Sequence, residues 1–453
     1  MKITPTANKK LILSCLFLML PTMMIFIILW RHGMHSAALI EHDDWPFLIG
    51  NWDLRSKLLL EEGRPLNYLW YQVSHRVLTP ETAVVLYWIL FAKIALSFAR
   101  ILAVESFLAI GVLAAVVLFS PEVIELSGWP AYVLAGLFIT SVGTHLISRL
   151  VSNAGAAGND RKRLWFVGVF SFLAYQFYPA FAFIVLIVST AQHDVREPAF
   201  YGKLCTVFVM AIFLSTLAIF FVNYVSFGRF GVIPGSWREP RYATDIWSFL
   251  QNERLLIEKY RELVERGVLV WSVGLVGFVS QLFMNPRKCL VLCLVAVLPF
   301  GFDVLLVGLT GVVPDVRHFL WIPIVAVALA ADLPRYLSRR WMIATGVLAG
   351  ITGVFSLNAH AVQKAACNSL FENVQRVATS IGQSHVLILG AYSNDRSALV
   401  NRLTQAGRAA SLCRSAECLK LQQHNQSIFR MPGSGAVAVS MREFCASDQP
   451  TER

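Results

Sequence analysis

Long apolar runs separated by short polar breaks follow one another from about residue 11 to residue 357. A run of about 20 apolar residues matches the hydrocarbon thickness of a bilayer when wound as a helix. The pattern predicts about eleven spans, near 11–30, 81–98, 102–121, 128–149, 164–175, 177–191, 203–225, 267–284, 289–310, 319–333 and 341–357. The run 164–191 is divided because two short helices put Arg196 and Lys203 on the same side as Arg161-Lys162-Arg163, as the positive-inside rule asks. Pro179 suits the first turn of the second helix, where a missing N–H costs least, and the predicted outer turn falls near Tyr175-Gln176.

Two polar stretches and a tail break the pattern. Residues 41–76 hold the adjacent acids Asp43 and Asp44, then a Trp-rich amphipathic run, then Glu61-Glu62-Gly63-Arg64-Pro65. Trp45, Trp52, Trp70 and Tyr71 favour the headgroup level. Residues 226–265 form a long basic loop whose second half is an amphipathic helix. Thr244 or Asp245 caps it, and Ile246, Phe249, Leu250, Leu256, Ile257, Tyr260 and Leu263 fall largely on one face, against the membrane or the span bundle. Beyond the last span, 358–453 is polar, with a short buried strand predicted at 385–392. The expected fold is thus an all-α polytopic membrane domain over 1–357, with outer loops 31–80 and 226–265 forming the site, and a small C-terminal extracytoplasmic α/β domain over 358–453.

Composition agrees. The chain is 56% hydrophobic and 15% charged, which excludes an ordinary soluble domain of 453 residues. Its net charge of +11 sits mostly in short loops between apolar runs, the positive-inside pattern, so no nucleic-acid partner is expected. Lys2, Lys9 and Lys10 place the N-terminus in the cytoplasm, and with no small-residue cleavage site the first run reads as a retained span. Cys15, Cys205, Cys289 and Cys293 lie in or beside apolar runs as small packing residues. Cys367, Cys413, Cys418 and Cys445 lie in the polar tail, where disulfides can form if it is outside the cytoplasm. Cys413 and Cys418 are near enough to bridge, and no metal site is expected of them because no second close pair accompanies them.

The candidate chemistry lies on the outer side. A positioned, partly desolvated carboxylate at Asp43 or Asp44 suits a general base that takes a proton from an acceptor hydroxyl. The alternative is a helix cap, and the two acids can divide these roles. Arg64 follows a helix stop at Gly63, where its planar fork suits phosphate; the alternatives are a salt bridge to Glu61 or Asp53, or an interfacial lipid contact. Arg317-His318 opens the tenth span outside, against the charge rule, which suits a lipid phosphate or snorkelling to headgroups. Arg238 and Arg241 in the long loop are similar candidates. Tyr175 and Gln176 offer a phenol and an amide for sugar hydroxyls or for interhelical packing. Asp303 is an intramembrane acid and suspect on that ground alone.

A first span, an outer loop with an early acidic pair, further spans and an outer C-terminal domain resemble the GT-C glycosyltransferases. Asp43-Asp44-Trp45, Gly63-Arg64-Pro65-Leu66, Tyr175-Gln176 and Arg317 are similar to the serotype-converting O-antigen glucosyltransferases (glucosyltransferase II or Gtr type). The resemblance of plan covers about 1–357. It implies an inverting hexosyltransferase of a bacterial inner membrane. The donor would be an undecaprenyl-phosphate-linked sugar, such as glucose, and the acceptor a periplasmic glycan such as lipopolysaccharide O-antigen. Asp43 or Asp44 inherits the base role by position; Arg64 and Arg317 receive no family role. No resident cofactor is implied, and no clean Asp-x-Asp motif supports a divalent metal. The absence of a Gly-rich phosphate loop fits a donor that carries its own lipid anchor. Two rivals stand: an O-antigen polymerase or ligase, relying on 226–265 and dispensing with the early acids, and a transporter or lipid flippase, which predicts matched halves that this chain does not display.

Overall fold

Proline sets most helix starts. A proline in the first turn forfeits no hydrogen bond and arrives with a helical φ. In the computed structural model such starts open α1 (Pro65–Val77), α2 (Pro80–Ile101), α4 (Pro121–Leu126), α5 (Pro130–Ser152), α7 (Pro179–Thr190), α8 (Pro198–Phe227) and α11 (Pro286–Thr310). Others among the described residues are α3 (Phe107–Leu118), α6 (Gly158–Phe177), α9 (Ile246–Arg266), α10 (Val268–Met284) and α12 (Trp321–Ala330), with a 3₁₀ turn at Val316–His318 before α12 and a further apolar helix over Ala344–Phe355. The structure describes residues 59–102, 107–152, 158–191, 198–232, 240–333 and most of 340–358. It also describes Ile27, Ile40, Asp44, Phe47, Leu48 and Leu403 and four strands.

Capping agrees with the sequence where it is local. Asp245 accepts from the Ser248 amide at 2.7 Å while the Ser248 hydroxyl meets the Asp245 amide at 3.0 Å, a reciprocal cap that starts α9. Asn285 accepts from the Lys288 amide at 3.2 Å and starts α11.

By length and composition, four helices among the described residues can cross a membrane: Pro80–Phe98, Pro130–Val151, Ala199–Phe227 and Pro286–Thr310. A fifth is added if α9 and α10, bent by 95° at Gly267, count together. Val209, Met210, Phe213, Leu214, Leu217 and Phe221 of α8 are exposed, an apolar surface too large for water and suited to lipid. Among the described residues, the third and tenth predicted spans appear as α3 and α12, of 12 and 10 residues. These reach roughly 18 and 15 Å at 1.5 Å per residue, half a bilayer core.

The core is built around α7, which is buried from Ala180 to Thr190. It packs on α5, α6, α11 and α12, while α2 packs on α5 and α9 on α11. α6 and α7 lie along each other, so the predicted division of 164–191 into two helices holds. The break falls at Tyr178, whose backbone is extended (φ −158°, ψ 113°), because a residue before proline is pushed out of the helical region.

Near the C-terminus, β1 (His385–Leu389), β2 (Ala409–Cys413), β3 (Ile428–Arg430) and β4 (Ala436–Ser440) form a sheet in the order β2-β1-β4-β3. β1 runs parallel to β2 and β4, and β3 antiparallel to β4. β1 is the strand that alternation predicted. Cys289 is buried and Cys205 and Cys293 are half-buried in helices, as small packing residues. Cys15, Cys367, Cys418 and Cys445 lie outside the described residues.

Candidate functional site

The site grows from the start of α5. Its first-turn amides are orphan donors, and two of them point at Asp44. Ala131 N–H donates to Asp44 Oδ2 at 2.9 Å, and Tyr132 N–H to Asp44 Oδ1. Asp44 is fully buried. It is a cap, but of a helix 87 residues further along the chain. The start of a helix favours an anion, so the carboxylate also ties the chain at Asp44 to α5. Neighbouring contacts fix the same joint. The Phe47 amide bonds the Asp44 carbonyl at 3.0 Å, Ser74 Oγ donates to the Phe47 carbonyl at 2.6 Å, and Trp70 Nε1 donates to the Ala131 carbonyl at 2.8 Å. Asp43 lies outside the described residues.

Arg64 enters from α1. Gly63 precedes it with φ +81°, a turn that a Cβ would strain, and an added Cβ would meet Ile219 at 3.0 Å. The Arg64 guanidinium lies over two phenol rings, Tyr132 at 5.3 Å and Tyr178 at 5.7 Å. Tyr178 stacks on His318 with centroids 4.9 Å apart. Arg317 lies 3.6 Å from the Trp129 ring centroid and pairs with Asp315 at 2.9 Å. Arg64, Arg317 and His318 therefore meet at one end of the bundle, joined through Trp129, Tyr132 and Tyr178. Those three aromatics were not singled out as site residues from the sequence.

Among the described residues, the Tyr132 and Tyr178 hydroxyls and the Trp129 indole N–H are buried without a hydrogen-bond partner.

Glu122 is another residue that sequence reading passed over. It lies in the first turn of α4, which packs on the 3₁₀ turn carrying Arg317 and His318. It is fully buried, and neither oxygen has a well-formed hydrogen bond among the described residues. Burial pushes its pKa up to about 7, while its own amide and the Ser120 hydroxyl draw it down and Glu125 adds to the rise. Glu125 is raised too, by burial and by Asp315, against Arg317, Arg266 and Lys259. Arg266 reaches Glu125 at 3.5 Å and Glu262 at 2.7 Å, bringing the end of α9 to the same rim.

The remaining candidates lie elsewhere. Tyr175 and Gln176 are in the last turn of α6 and not at the chain reversal. Gln176 is buried, and Tyr175 packs edge-on against Phe302. The Tyr178-Pro179 pair was the signal that places the turn at Tyr178. Arg241 is exposed. Its backbone pins the long loop to the end of α11, with its amide on the Thr310 carbonyl at 2.7 Å and its carbonyl on Asn252 at 2.8 Å. Arg238 lies outside the described residues. Asp303 Oδ2 faces the Tyr260 hydroxyl and Trp321 Nε1, each at 3.3 Å, and so links α9, α11 and α12. No three His, Cys, Asp or Glu side chains among the described residues are grouped to hold a metal. Compared with known protein families and with curated proteins, the chain matches none of them.

Proposed function

We propose that the chain is an inverting membrane glycosyltransferase of GT-C type. It moves a hexose, glucose in the narrowest reading, from a polyprenyl-phosphate donor to a periplasmic glycan such as lipopolysaccharide O-antigen. A carboxylate takes the proton from the acceptor hydroxyl, and the oxygen attacks the anomeric carbon from the side opposite the lipid phosphate. The anomeric C–O bond to phosphate breaks, and the electron pair leaves with the phosphate. Arg64 and Arg317 offset the charge that collects there, the kind of preorganised electrostatics that dominates such steps. Asp44 accepts two amides and acts as the positioning acid; Asp43 is the base.

The observation that carries the reading is convergence. Asp44, Arg64, Trp129, Tyr132, Tyr178, Arg317 and His318 come from separate stretches yet form one chain of contacts. An eleven-span topology in an inner membrane, with a cytoplasmic N-terminus and a periplasmic α/β domain over 358–453, assigns all of these to the periplasmic side. Arg64, Arg317 and His318, which that topology puts on one side, are among the residues joined through these rings, and this supports the reading.

The test is transfer by membranes carrying the full chain, offered a panel of polyprenyl-phosphate sugars and scored on cellular glycan. Transfer from one donor is expected. Asp43→Asn should lower it by roughly two to four orders of magnitude, and Arg64→Ala should weaken donor use, with Lys a poor substitute. No transfer from any donor, or full activity in Asp43→Asn, would overturn the reading.

A further inference from the structure

We infer that Tyr132, Tyr178 and Trp129 form the wall that reads the donor's sugar ring, a specificity surface distinct from the arginines that hold its phosphate; the inference rests on the glycosyltransferase reading. Three observations lead there. The two phenol hydroxyls and the indole N–H are buried with no hydrogen-bond partner among the described residues. Leaving such groups unpaired is costly, so three together mark a place where a partner arrives from outside the fold. The rings are also held in fixed orientations. Tyr132 and Tyr178 lie edge-to-face at 6.4 Å, Phe47 braces Tyr132 at 5.2 Å, and His318 stacks on Tyr178. Finally, both arginines lie on these rings, Arg64 on the two phenols and Arg317 on the indole.

The division of labour follows from the chemistry. A phosphate asks for charge, which the guanidiniums supply. A sugar ring asks for neutral donors and acceptors beside apolar faces, which phenols and an indole supply. Asp44 fixes the wall by holding the Tyr132 amide, so the first outer loop sets the geometry of the sugar site without touching the sugar. Discrimination is sharp in such a site, because a substrate lacking the matching hydroxyl leaves buried polar groups unpaired.

The experiment measures equilibrium binding of two probes to the full chain in lipid nanodiscs: a short-chain polyprenyl phosphate, bare or carrying glucose. Wild type should bind the glucosylated probe more tightly. Tyr132→Phe and Tyr178→Phe should each lower that preference roughly five- to tenfold, the worth of one hydrogen bond, and leave the bare probe within about twofold. Arg64→Ala should weaken both probes together. A preference unchanged in both Phe variants, or equal loss for both probes, would overturn the wall while leaving the transferase reading in place. A wild type that binds neither probe would sink the transferase reading and the wall with it. The Phe variants must also remain folded, since each removes a hydroxyl with no hydrogen-bond partner among the described residues; an unfolded variant would itself contradict the inference.

Discussion

Asp44→Ala separates positioning from catalysis. The substitution removes both acceptors from the Ala131 and Tyr132 amides while leaving the amides buried. An unsatisfied buried donor costs about 1–3 kcal/mol, so two cost on the order of 4 kcal/mol, more than an ordinary cap is worth. Asp44→Asn keeps one carbonyl oxygen but turns an NH2 group toward the second amide, so it should lose about half as much, on the order of 2 kcal/mol. Asp43→Asn should leave stability alone and remove turnover. The assay pairs thermal unfolding of the detergent-purified chain with transfer activity. Asp44→Ala should lower the apparent midpoint by at least about 5 °C, a modest conversion of that free energy for a protein of this size. A melt within about 2 °C of wild type would refute the capping role, whatever the activity.

Other perturbations follow from the same contacts. Below about pH 7 Glu122 keeps its proton in the folded chain, with a pKa of about 7 where 4.5 is ordinary. Its contribution to stability is therefore whole below about pH 4.5 and is lost as pH rises through about 7, on the order of 3 kcal/mol. Glu122→Gln should flatten that fall, and a wild-type denaturation profile level between about pH 5 and 7 would contradict it. Lys288 and Asp332 form a buried ion pair at 2.9 Å, with Gln281 also donating to Asp332 at 2.6 Å. Asp332→Ala should destabilise by about 3–5 kcal/mol, and apolar replacement of both partners should recover most of the melting temperature. A Cβ on Gly277 would lie 2.6 Å from the Ala330 backbone nitrogen. Gly277→Val should therefore force α10 and α12 apart and abolish a monodisperse peak on size exclusion; a normal profile would show that this close approach is dispensable.

What the sequence revealed was local, and what it hid was the identity of partners. The prolines, the Asp245 cap and the β1 strand are legible because their causes lie within a few residues. Arg317 stood out because a positive charge on the expected outer side runs against the charge rule. The apolar face of α9 was visible, but it divides in space. Leu256 and Leu263 are buried, while Ile246, Leu250 and Ile257 are exposed. Periodicity reports an apolar arc and does not distinguish a protein neighbour from a lipid one. For the same reason the apolar pattern overstates the length of α12, since a half-length helix buried in protein and a lipid-exposed span read alike.

The partner problem is sharpest at the site. Asp43 and Asp44 are adjacent acids of identical type, and nothing local tells which of them caps α5. The distinction arises only when α5 brings two free amides to one of them from 87 residues away. Glu122 reads in sequence as an ordinary acid in a first helical turn, where a negative charge is stabilised. Its burial comes from packing on the Arg317-His318 turn and on α2, whose Tyr87 hydroxyl donates to the Val123 carbonyl at 2.6 Å. The same tertiary closure leaves the Tyr132 and Tyr178 hydroxyls buried without partners among the described residues. A site of this kind is assembled at the ends of helices, where the first-turn amides, the residues before prolines and the capping acids already have unmet hydrogen bonds. Helix ends that meet are therefore where to look for function in such a bundle, ahead of the polar residues within its spans.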